Sequence, residues 1–104
     1  MALITLDNLL ARIRRYHKAD DLAIVEKAYR YAMKKHEGQT RKSGEPYFTH
    51  PAQVAYILAE MELDPQSICA ALLHDVVEDT DASHEELVEE FGETITMLVD
   101  GVTK

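Results

Sequence analysis

The chain carries a single cysteine in 104 residues. No internal disulfide can form, which fits a reducing cytosol. Cys69 lies inside the apolar run Ile68–Leu73 and reads as a small core residue rather than a nucleophile. Positive charge is also scarce. Eleven Lys and Arg stand against nineteen Asp and Glu, for a formal charge of -8. That balance excludes a global footprint for nucleic-acid binding. It also opposes a polyanionic substrate, unless a bound metal or a local basic cluster overrides it. Such a cluster exists in Lys34, Lys35, His36, Arg41 and Lys42. No apolar stretch approaches the roughly 20 residues of a membrane span. The short run Met1–Leu6 meets Asp7 too soon for a signal peptide. A cytoplasmic, non-membrane protein is expected. Strand alternation, internal repeats and low-complexity tracts are missing too.

What is present is helical periodicity. Hydrophobic residues make up 46% of the chain, enough for the core of one compact domain. Asp7 is expected to cap a first helix with Leu9, Leu10 and Ile13 on one face. Asp20 or Asp21 is expected to cap a second, on which Leu22, Val25, Tyr29, Ala32 and Met33 form a buried stripe. Gly38 ends it, and a polar loop runs to Pro46. A third helix starts near His50 and Pro51 and carries Val54, Ile57, Leu58 and Met61 inward. Asp64 followed by Pro65 marks the start of a fourth, running through Ile68, Ala71 and Leu72 into His74 and Asp75. Ser83 and Glu86 form a capping box that opens a fifth, ending near Phe91 and Gly92. A last amphipathic segment carries Ile95, Leu98 and Val99. The expected fold is all-α, a bundle of about five or six helices. Residues 100–104 lack a polar, fraying tail, so the chain is expected to stop inside a larger domain.

The segment from Ala70 to Thr80 concentrates the chemistry. It places His74, Asp75, Glu78 and Asp79 on little more than one turn, directly after an apolar run. Four-residue spacing puts His74 with Glu78 and Asp75 with Asp79. His74 and Asp75 differ by about 100° around a helix axis, and both can reach one cation above the ridge between them. Mixed imidazole and carboxylate donors suit divalent ions such as Mn²⁺, Fe²⁺ or Zn²⁺. His50 can add a nitrogen if its helix start packs nearby. Glu78 and Asp79 would then sit outside the ligand shell, one acting on a water and the other on a leaving oxygen or a ligand.

The bland alternative is an acidic, solvated helix end with a satisfied core histidine, although acids there oppose the macrodipole. Arg41, Lys42, Ser43 and Gly44 form either an anion-contacting loop or an ordinary solvated turn. Tyr47 and Phe48 read as packing that fixes His50. His36 serves the helix end, His17 and His84 the surface. Tyr29 belongs to the core and Tyr31 to the surface.

Three segments carry a resemblance: His36–Pro51, Ala70–Thr80, and Phe91–Gly92 followed by Val99–Lys104. Together they resemble the hydrolase domain of the RelA/SpoT alarmone enzymes, from about Asp20 onward. That group belongs to the HD-type, all-helical metal phosphohydrolases. The resemblance implies Mn²⁺-dependent removal of the 3′-pyrophosphate from ppGpp or pppGpp. By motif match, His50, His74 and Asp75 would hold the metal. Glu78 and Asp79 match the pair implicated in activating water, and Arg41, Lys42 and Ser43 match the loop that contacts the guanine nucleotide. The family's further aspartate ligand lies on a later helix, beyond this chain, and Asp100 does not match its motif. Residues 1–104 thus resemble the N-terminal part of an HD-type hydrolase domain, without the synthetase and regulatory domains. A missing helix would leave an apolar face and favour a homo-oligomer. Two alternatives stay open: a general HD-type nucleotide phosphohydrolase, and a non-catalytic nucleotide-binding module.

Overall fold

A computed structural model describes residues 4–17, 22–40, 44, 46–80 and 82–102, without the side chains of Glu78, Asp79 and Val102. It is all-α, as expected. Among the described residues seven helical segments follow one another: α1 (Leu6–Arg14), α2 (Leu22–Lys35), α3 (Thr49–Glu60), α4 (Pro65–Leu73), α5 (Val76–Asp79), α6 (His84–Phe91) and α7 (Glu93–Val102). Among the described residues the only β pairing is an isolated bridge between Thr40 and Pro46.

Local chemistry fixes most of the boundaries. Thr5, not Asp7, caps α1. Its hydroxyl accepts from the Asn8 amide at 3.0 Å, and the Asn8 side chain accepts from the Thr5 amide at 3.4 Å. The reciprocal pair satisfies two amides that Asp7 alone could not. Asp7 sits instead in the first turn, where its charge suits the dipole. Asp64 caps α4 as expected, accepting from the Ser67 amide at 3.2 Å and its hydroxyl at 2.7 Å. Ser83 accepts from the Glu86 amide at 3.1 Å and opens α6. Gly92 closes it with φ 88°. The expected caps Asp20 and Asp21 lie outside the described residues.

Helix α4 is the centre of the molecule. It buries residues on every side, including Ile68, Cys69, Ala70, Leu72 and Leu73. An all-round apolar helix belongs in a core, and α2, α3 and α7 pack around this one. Helix α1 lies against α2 and α3, and α6 against α7. The stripe on α2 is as expected except for Met33, which is 40% exposed.

Two expectations about α3 and α4 are overturned. On α3 the expected inward set divides: Val54 and Leu58 pack against the core, but Ile57 is 52% exposed and Met61, just past the helix, 63% exposed, while Ala52, Ala55 and Ala59 are fully buried. The alanines form the most buried face of α3, which packs against α4, and Ile57 is left on the outer side. Helix α4 does not continue through the His74–Asp75 pair. It ends at Leu73, and Asp75 takes φ -93°, ψ -5° before the single turn of α5. The His74 Nδ1 reaches the Ala71 carbonyl at 2.7 Å. That is the acceptor a continuing α-helix would offer to the Asp75 amide, and side-chain capture of it competes with the ladder.

Candidate functional site

The break after α4 turns His74 and Asp75 toward each other. His74 Nε2 lies 3.2 Å from Asp75 Oδ2, and both side chains are largely buried. A carbonyl can only accept, so the Nδ1 facing Ala71 carries a proton. Nε2 is then either a lone pair or the second N–H of an imidazolium. As a lone pair it faces a carboxylate oxygen, acceptor to acceptor, an arrangement that needs a proton or a cation between the two. Two donors bound at right angles to one ion at ~2.1 Å stand about 3 Å apart, which matches the separation here. The Tyr47 hydroxyl donates to the same Asp75 oxygen at 3.1 Å.

His50 lies in the first turn of α3, with its ring centroid 6.5 Å from that of His74 and the planes at 63°. The two imidazoles are neighbours. Among the described residues, however, no group of three or more His, Cys, Asp or Glu side chains is arranged to hold a metal ion. Glu78 and Asp79 lie on α5, one turn beyond the pair, and their side chains are outside the described set. So are Arg41, Lys42 and Ser43, although both ends of their loop are described. The Tyr47 amide donates to the Gln39 carbonyl at 2.9 Å, and the Gln39 amide to the His36 carbonyl at 2.9 Å. Thr40 and Pro46 bridge across the same neck. The neck therefore stands beside Asp75, connected through Tyr47.

The HD domain family matches residues 28–104. The chain belongs to that family, as an HD domain of the RelA/SpoT type. It is 56% identical over 92 residues to a GTP pyrophosphokinase of Myxococcus xanthus, covering 88% of this chain and 12% of that protein. It is 50% identical over 96 residues to the GTP pyrophosphokinase rsh of Brucella melitensis, covering 92% and 13%. It is 49% identical over 98 residues to the bifunctional (p)ppGpp synthase/hydrolase SpoT of Escherichia coli K12, covering 94% and 14%. The HD domain thus spans about an eighth of the length of these relatives.

Two participants of this HD domain were not legible as such in the sequence. Tyr47, expected to fix His50, also reaches Asp75, and its ring stacks on His36 with centroids 4.8 Å apart. His36, expected to serve the helix end, is 2% exposed and bonds Gln39 through Nδ1 at 3.0 Å. Twenty-eight residues separate Tyr47 from Asp75, and no local pattern encodes that contact. Phe48 is packing, edge-on to Tyr29 at 4.9 Å. Tyr31 is half-buried and donates to Glu86 at 2.5 Å, so it docks α6 on α2. His84 is exposed, with Nε2 2.9 Å from Asp100 Oδ2.

An apolar groove of about 470 Å³ ends at His74, lined by Val54, Leu58, Ala70, Ala71 and Leu98 among others. A larger cavity, about 650 Å³, lies against Thr5, Tyr29 and Arg30, between α1 and α2. Volume does not make it the better candidate, because the smaller one is lined by His74, the imidazole paired with Asp75. Among the described residues no helix is long and apolar enough to cross a membrane.

Proposed function

We propose that this HD domain is the N-terminal part of the hydrolase unit of a cytoplasmic (p)ppGpp 3′-pyrophosphohydrolase, with Mn²⁺ as its ion. The observation that carries the reading is the 3.2 Å approach of His74 Nε2 to Asp75 Oδ2, with Nδ1 committed to Ala71. It is supported by the likeness to the synthase/hydrolase of E. coli. In the reaction, water adds to the phosphorus attached to the 3′-oxygen. The P–O3′ bond breaks, the 3′-oxygen takes a proton, and pyrophosphate leaves with GDP or GTP as the other product.

His74 and Asp75 would hold the ion, with His50 closing on it as a third donor. When bound, the ion supplies charge stabilisation at the phosphate and a more acidic water. Glu78 and Asp79, on the turn after the pair, would take the proton from the attacking water and return one to the leaving oxygen. Arg41, Lys42 and Ser43 would grip the nucleotide: the guanidinium by fork or stack, the ammonium as a point charge, the hydroxyl as a donor. A chain of charge -8 needs both the ion and this loop to bind so anionic a ligand.

The test is calorimetry of Mn²⁺, then of ppGpp, into the chain and its variants. Mn²⁺ binding that His74→Ala and Asp75→Ala each abolish is expected, with ppGpp binding that requires the ion. Absence of Mn²⁺ binding, or binding indifferent to both substitutions in folded protein, overturns the reading.

A further inference from the structure

His36 stands directly after α2 and is 2% exposed. Its Nε2 is buried without a hydrogen-bond partner among the described residues. Leaving a polar atom unpaired there opposes folding, so hydrogen bonding alone does not account for an imidazole in this place. Its flat face does more. The ring lies on that of Tyr47 at 4.8 Å with the planes 27° apart, and the Nδ1 contact with Gln39 holds the ring's orientation.

Tyr47 has two ends that matter. Its amide closes the neck of the 40–46 loop on Gln39, and its hydroxyl donates to Asp75 Oδ2 at 3.1 Å. The same oxygen faces His74 Nε2. The hydroxyl is the side-chain group farthest from the backbone, so any tilt about Cα–Cβ is magnified there. A stacking partner on the ring face restrains that tilt.

We propose that His36 is a positioning residue for Asp75, acting through the stacked ring of Tyr47. The inference rests on the reading of His74 and Asp75 as the ion-holding pair, and it extends the pair to a support just past the end of α2 and at the loop neck. Carboxylates that bind metals are themselves oriented by hydrogen-bond donors around them, and loss of such a donor weakens binding by about tenfold to a hundredfold. Here the donor is Tyr47, and His36 keeps it in place.

Two readouts test this in the full chain: the ¹³Cγ resonance of Asp75 without metal, and the Mn²⁺ affinity. Tyr47→Phe keeps the stack and removes the donor. His36→Leu and His36→Met fill the volume without a planar face. All three are expected to shift the Asp75 resonance and weaken Mn²⁺ by about tenfold or more. His36→Phe restores a face and is expected to return both readouts most of the way to the parent. A parent-like Asp75 resonance in folded His36→Leu or His36→Met overturns the proposal. So does a His36→Phe protein as disturbed as His36→Leu, because planarity would then be irrelevant. A parent chain that fails to bind Mn²⁺ sinks the hydrolase reading instead, and the metal-free resonance still decides the role of His36.

Discussion

Asp64 shows how much one side chain can fix in this chain. Its carboxylate accepts from both the hydroxyl and the amide of Ser67. Bonding to the Ser67 hydroxyl, the largest effect, holds its pKa below the usual carboxylate value; burial opposes it, and bonds to backbone amides add to the lowering. A depressed folded pKa means stability that is full above the unfolded value and is lost as pH falls through the folded one. Asp64→Ala is therefore expected to cost ~1 kcal/mol at neutral pH, a deficit that shrinks below about pH 4. Asp64→Asn should keep most of the cap and lose the pH dependence, as urea unfolding across pH will show. Cys69 makes the opposite case. Burial pushes its thiol up to about 12, so at pH 8 almost none is thiolate. Native protein should resist a thiol-specific disulfide reagent, with modification appearing only as denaturant unfolds the chain. Fast labelling of folded protein would contradict the buried placement.

At the scale of the element, the sequence spoke clearly wherever the signal was local. The Asp64–Pro65 start, the Ser83 cap and the Gly92 stop each depend on groups within a few residues. Asp7 was the expected cap of α1, and reciprocity with Asn8 gave the position to Thr5 instead. Helix α3 was not legible in the same way. Its apolar residues lie around most of its circumference, so periodicity could not select the buried face. Tertiary packing selected the alanines as the fully buried face. The consequence is asymmetric. Ala55→Leu, at a fully buried site, is expected to destabilise by ~1–3 kcal/mol through overpacking. Ile57→Ala, at a half-exposed one, should cost less than about 1 kcal/mol. The reverse order in thermal denaturation would mean that α3 packs with its other face inward. The break after α4 was hidden for a related reason: the residue spacing is helical, and only the capture of the Ala71 carbonyl by His74 interrupts it.

At the scale of the whole molecule, charge and exposed apolar surface pull against each other. Ile57, Met61, Met97 and Leu98 are all exposed, and a net charge of -8 keeps copies apart near neutral pH. The sequence conveyed the charge directly. It could not convey the surface, because exposure of Ile57 and Met61 follows from how α3 docks. The sign of the acid response is fixed: protonating carboxylates and histidines moves the charge toward zero at the isoelectric point of about 5.0. There the repulsion vanishes and the apolar side chains remain. Light scattering is therefore expected to peak near pH 5 and to fall on either side. At pH 8 it should rise with added salt, because at 0.1 M screening confines repulsion to about 10 Å. Ile57→Gln combined with Met97→Gln removes apolar surface without touching charge, so it should lower the peak and leave its pH unchanged. A peak equally high in that double variant would show that these side chains do not drive the association.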